Sequence, residues 1–194
     1  MTQFIVLLGA AVSFLGSLAY LKDTISGKTK PNRVSWFLWS ITILIAAGAA
    51  LADGVTWAVL PVFTAGVCTS LIFLASFLNK NAYWRLGALD YACGLLSLLA
   101  LVLWSATSSP SIAIVFAILA DALATAPTLI KSWKHPETES SSVYLGGLFS
   151  ALTAFTAMTV WSFSEYAFPA YLVIGNIVLL FPLYWKRNRR IARP

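Results

Sequence analysis

The chain has 194 residues, of which 59% are hydrophobic and only 10% charged, and its formal charge is +6. A water-facing domain carries roughly 25% charged residues, so this composition excludes an ordinary soluble enzyme, a disordered regulator and a secreted disulfide scaffold. With a mean hydropathy of +0.82 and a spanning helix needing about 20 apolar residues, the expectation is an all-α polytopic membrane protein.

Seven apolar runs follow one another, at about 3–21, 34–52, 56–78, 86–104, 110–130, 142–162 and 167–185. The first has no basic segment ahead of it, since Lys22 comes after the apolar stretch, so it reads as an uncleaved first span and not a removed leader. The separators are short and carry turn and charge signals: KDTISGKTKPNR, ADG, NKNAYWR, SATSSPS, KSWKHPETESS and SFSEYAF. Asn32 and Ser140 stand just ahead of runs two and six, where an N-cap would satisfy free amides. No separator is long enough for a soluble domain. The chain is expected to be one membrane domain over 1–194, divided into a first helix triple (1–80), a linker helix (81–106) and a second triple with a basic tail (107–194).

The charges set an orientation. Lys22, Lys28, Lys30 and Arg33 lie between runs one and two, Lys80 and Arg85 between three and four, and Lys131 and Lys134 between five and six. Lys186, Arg187, Arg189, Arg190 and Arg193 follow run seven. These are all 13 Lys and Arg residues, and a seven-span arrangement puts every one on the same face, while Asp53 and Glu165 fall on the other. The positive-inside rule then places the N-terminus outside and the C-terminus in the cytoplasm, with the basic loops against an anionic leaflet. The positive charge is therefore read as membrane topology, with no nucleic-acid partner. A bacterial-type cytoplasmic membrane is the expected location.

Few residues stand out against this background. Asp121 sits near the middle of run five, where an ionised carboxylate costs about 2.5–3.5 kcal/mol on insertion scales. It is expected to bind solute, to carry a coupling proton, or to serve as packing glue between helices. Asp90 is expected to pair with Arg85 or to reach the interface. Asn176 is the one amide inside run seven and offers both donors and acceptors. Pro127 lies inside run five and reads as a hinge, whereas Pro61 and Pro169 suit the first turn of a helix. Trp36, Trp57, Trp84, Trp104 and Trp185 lie near span ends, as an aromatic belt requires. Gly146, Gly147, Ser150 and Ala154 are expected to allow close helix contact in run six. His135, the single histidine, reads as a solvated loop residue. Cys68 and Cys93 sit in apolar runs and form neither a disulfide framework nor a metal site. No HExxH, GxSxG or Walker pattern is present, so neither an enzyme nor a cofactor is expected.

Runs one to three and five to seven share a layout: a span, a basic loop, a span, a very short outer turn, a span. At a constant offset of 108, Trp36 matches Tyr144, Pro61 matches Pro169, Leu71 matches Leu179 and Phe73 matches Phe181. The same offset pairs Asp53 with Trp161 and Cys68 with Asn176. An odd span between the triples gives them the same orientation, a parallel repeat.

This 3+1+3 arrangement resembles the SWEET and PQ-loop superfamily over nearly the whole chain. Pro127-Thr128 in ALATAPTLIKSW, followed by HPETESSSVY, stands where that family has its Pro-Gln pair, and Ala19-Tyr20 takes the equivalent place in the first triple. The resemblance implies a transporter moving a small polar solute, sugar-like or amino-acid-like, by alternating access between the triples. It implies a central site with Asn176 and Trp161 from the second triple. The first triple departs, with Cys68 and Asp53 at those positions. Self-association into a homo-oligomer is compatible with it. The alternative is a non-transporting receptor or scaffold of the same fold, as in the KDEL receptor, because fold does not fix function.

Overall fold

The computed structural model describes residues 2–81, 84–106 and 109–191, and the side chains at 100, 103–105 and 186–191 lie outside the description. Trp104 and the five basic residues of the C-terminal tail fall among those not described. The described residues form seven apolar helices. They are α1 (Thr2–Ile25), α2 (Arg33–Ala52), α3 (Leu60–Ala75), α4 (Ala88–Ser105), α5 (Pro110–Lys134), α6 (Ser142–Ala154) and α7 (Phe163–Ile191). Single 3-10 turns lead into α3 (Trp57–Val59) and continue α6 (Phe155–Ala157). Five segments are long and apolar enough to cross a membrane, namely α1, α2, Trp57–Ala75, α5 and Phe163–Trp185, while Ala88–Leu99 and Ser142–Ala157 are shorter. The chain is an all-helical polytopic membrane protein.

Local chemistry sets several helix ends. Asn32 is the N-cap of α2, and its Oδ1 accepts from the Val34 and Ser35 amides at 3.1 and 3.4 Å. Ser140 does not cap α6. That helix starts after Ser141, which makes no side-chain cap, and the Ser140 hydroxyl bonds that of Ser142 instead. Pro61 sits in the first turn of α3, where its missing N–H costs nothing. Pro169, expected in the same position, lies inside α7, as do Pro182 and, in α5, Pro127. The cause is an earlier start: Glu165 anchors the helix entrance, and α7 begins at Phe163.

The polarity of the packing is that of a protein in lipid. Ser13, Ser17, Thr42 and Asp121 are buried, whereas Leu15, Leu95 and Ile174 are more than 60% exposed. Apolar side chains facing outward lose nothing to hydrocarbon, and polar ones must find partners inside.

The helix contacts repeat. α3 packs on α1 and α2, and α7 packs on α5 and α6. Between the two sets, α1 lies along α6 and α2 along α5. Exchanging α1 with α5, α2 with α6 and α3 with α7 converts each of these contacts into another of them. α4 packs chiefly on α5, with a smaller contact to α2, and the Ser97 hydroxyl donates to the Ala120 carbonyl at 2.8 Å.

Candidate functional site

A cavity lies where the two helix sets meet, and its walls obey the same exchange. From α1 and α5 come Ser13 with Asp121 and Ser17 with Thr125. From α2 and α6 come Trp36 with Tyr144, Trp39 with Gly147 and Ile43 with Ala151, and from α3 and α7 come Cys68 with Asn176. Each of these pairs is 108 positions apart. Tyr171 and Leu172 of α7 complete the wall beside Asp121. The cavity has an open volume of about 70 Å³. The space suits a small solute.

Asp121 is the polar centre of this cavity and is 3% exposed. Thr42 of α2 donates to its Oδ1 and Tyr171 of α7 to its Oδ2, both at 2.6 Å. Thr125, one turn further along α5, donates to the Asp121 carbonyl at 2.9 Å and accepts from Trp39 Nε1 at 3.0 Å. One carboxylate thus ties three helices together. Among the described residues, no Lys, Arg or His forms an ion pair with it. The Thr42 hydroxyl has one proton and three acceptors in reach, Asp121 Oδ1, the Leu38 carbonyl at 2.9 Å and, more distantly, the Trp39 carbonyl at 3.5 Å. An ionised Asp121 receives that proton. A protonated Asp121 donates to Thr42 instead, and Thr42 then turns its proton to Leu38. Hydroxyl rotation alone accommodates both states.

At the end bearing the basic loops, the cavity meets a closed aromatic layer. Trp36 and Tyr20 are essentially inaccessible, with ring centroids 4.9 Å apart. Trp39 packs edge-on to Trp36 at 5.0 Å. Trp36 is therefore no belt residue: it packs against Tyr20 of α1 and lines the cavity, so a position near the span end becomes an interior one. Trp57 and Trp185 remain at exposed ends. The Nε1–H of Trp36 is buried without a partner among the described residues. Beyond this layer, Lys131 forms an ion pair with Glu139 inside the protein. Glu139 Oε2 also accepts from Tyr20 and Tyr144, each at 2.9 Å. Lys131 donates in addition to the Lys30 carbonyl, and the Lys30 amide donates to the Thr138 carbonyl at 2.9 Å. The α1–α2 and α5–α6 loops are joined through these bonds.

Asp121, Cys68 and Asn176 face one cavity; Trp161 and Asp53 do not. Trp161 is 58% exposed with a left-handed φ of 55°. The α6–α7 turn wraps around the Glu165 carboxylate, which accepts from the amides of Thr159, Val160 and Trp161, and this winding sends the indole outward. Asp53 is an exposed C-cap residue of α2. Both lie beyond the helix ends, out of reach of the central space. Asn176 Nδ2 donates to the Leu172 carbonyl at 2.7 Å on its own helix. Its Oδ1 lies so close to Gly147 that a methyl group there would be 3.1 Å from it. Pro127 is buried in α5, one turn before Lys131. Asp90 neither pairs with Arg85 nor reaches the surface: it is 6% exposed and accepts from the Asn32 side chain and the Gly87 amide. His135 is half exposed beside Glu137 at 3.4 Å.

Several residues of the site escape sequence reading. Thr42 and Tyr171 are 79 and 50 positions from Asp121, and nothing local marks them. Trp36 and Tyr144 carry a signal in the repeat offset. No family model, curated protein or solved structure matches this chain.

Proposed function

We propose that this protein is a transporter for a small polar solute, with seven crossings in the 3+1+3 order of the SWEET and PQ-loop type, the N-terminus outside and the C-terminus in the cytoplasm. The two triples (1–80 and 107–194) move against each other around the central cavity, joined by the linker helix (81–106). Asp121 binds the solute or carries a coupling proton, Asn176 and Cys68 contact the solute, and Pro127 lets α5 bend. The reading assigns no catalytic step and no cofactor.

The observation that carries this reading is the buried, unpaired Asp121 carboxylate facing a cavity between two helix sets related by exchange. A charge of that cost is retained in a membrane protein where it meets a ligand or a proton. The paired walls favour alternating access, since a site shared equally by two similar halves can be opened by either end of the interface. The Tyr20, Trp36 and Tyr144 layer supplies the closure at the basic end.

Flux into proteoliposomes of the purified chain tests the reading. Asp121→Asn keeps the size and much of the hydrogen bonding but cannot ionise. It is expected to abolish pH-dependent uptake while leaving insertion and melting nearly unchanged. Uptake with unaltered pH dependence in this variant would remove the coupling role. Binding without flux in the unmodified protein would instead favour a receptor or scaffold.

A further inference from the structure

We propose that the cavity is a site for a small organic cation, with the Asp121 carboxylate as counter-charge and the rings of Trp36, Trp39, Tyr144 and Tyr171 as walls for its carbon atoms. Calling this cation the cargo rests on the transport reading; its binding does not.

The free hydrogen-bonding groups of the cavity decide the class. A carboxylate offers about four lone-pair directions. Thr42 and Tyr171 occupy two at Asp121, which leaves acceptor capacity and a net negative charge with no basic side chain paired to it among the described residues. Asn176 spends an amide hydrogen on its own helix and keeps its oxygen beside Gly147. Of the hydroxyls nearby, Thr125 donates to the Asp121 carbonyl, Thr69 to Gly66 and Ser17 to Ser13, which leaves the Ser13 hydroxyl and the second amide hydrogen of Asn176 as the neutral donors of the cavity. Those donors could serve a neutral polyol as well, but a polyol brings no charge to offset the carboxylate, and a cation does.

Aromatic faces complement the same charge, since a cation over a ring is attracted by its quadrupole, most strongly where water is excluded. The open space of roughly 70 Å³ restricts the solute to a small one.

Tetramethylammonium and tert-butanol have the same number of heavy atoms and nearly the same shape, and differ in charge. The full chain in non-ionic detergent is titrated with each, and with glycerol, at constant ionic strength, following heat of binding and melting temperature. Tetramethylammonium is expected to bind at least tenfold more tightly than tert-butanol and to raise the melting temperature. Asp121→Asn is expected to remove that preference while tert-butanol binding stays as it was. The comparison within the unmodified protein stands even if the variant folds poorly. Equal binding of the two probes, or tighter binding of glycerol, overturns the proposal. Saturable tetramethylammonium binding with no uptake of it into vesicles leaves the cation site standing and removes the transport reading; glycerol flux without tetramethylammonium binding does the reverse.

Discussion

Lys131 and Glu139 form an ion pair with their side chains 1% and 0% exposed, and the energetics of such a pair are asymmetric. Removing one partner strands the other charge in a low-dielectric interior, which typically costs about 3–5 kcal/mol, whereas replacing both by apolar groups of like volume is often nearly neutral. Lys131→Met and Glu139→Gln are each expected to lower the melting temperature strongly, and the double variant to recover much of the loss. Simple additivity of the two losses would show that the pair is not coupled. The tyrosines modulate this, because Tyr20 and Tyr144 both donate to Glu139 and keep it partly compensated, so Lys131→Met should be the milder of the two. Nothing in the sequence marked this cluster, since lysine and glutamate flanking a proline turn read as a solvated loop. Asp121 was legible because one carboxylate in an apolar run is anomalous by itself. Its partners were not, because a threonine and a tyrosine in apolar helices are unremarkable until the helices are assembled around them.

The α1–α6 contact depends on glycine on both sides. A Cβ at Gly16 would lie 2.5 Å from the Ser142 carbonyl oxygen, and one at Gly146 would lie 3.0 Å from the Val12 carbonyl oxygen. These obstacles are backbone atoms, which cannot rotate away, so Gly16→Ala must push the helices apart. Overpacking of this sort costs about 1–3 kcal/mol. Gly48 in α2 has open space around it, and Ala there is expected to be neutral or to stabilise slightly, since Gly inside a helix costs roughly 0.5–1 kcal/mol relative to Ala. Melting of the two variants side by side checks the contrast; equal effects would mean that helix propensity and not close approach governs both. Gly146 was expected in the sequence to allow close helix contact, because small residues in a spanning segment have few other uses. Gly16 was not singled out, and its partner on α6 could not be read from either helix alone. Helix ends were less legible than helix cores: Ser140 carries cap chemistry, but its hydroxyl is taken by Ser142. Trp161 and Asp53 were tied to the site by position in the repeat, yet the turns at those ends differ in ways that the repeat offset does not carry.

The seven helices differ in reach, and this makes the crossing count a physical question. At 1.5 Å per residue, the 13 residues of α6 span about 20 Å, and its 3-10 turn adds about 6 Å. That approaches the hydrocarbon thickness of about 30 Å, which a locally thinned bilayer can meet. Exchange-related contacts argue in the same direction, because α6 occupies the place in its set that the longer α2 occupies in the other. Single cysteines in a background without Cys68 and Cys93 decide the matter, at Thr56, Val160, Lys28 and Lys134, which are all exposed. Ser164 is unsuitable, being 3% exposed. With seven crossings and the N-terminus outside, impermeant reagent added outside labels Thr56→Cys and Val160→Cys and spares Lys28→Cys and Lys134→Cys. If α4 alone fails to cross, Val160→Cys is protected and Lys134→Cys is labelled. If α6 alone fails, Val160→Cys and Lys134→Cys are both protected. If both fail, Lys134→Cys is labelled together with Val160→Cys. The two basic loops share a face whenever α4 crosses, as the contact of Lys131 with the Lys30 carbonyl requires, so the label at Val160→Cys is what decides the crossing of α6.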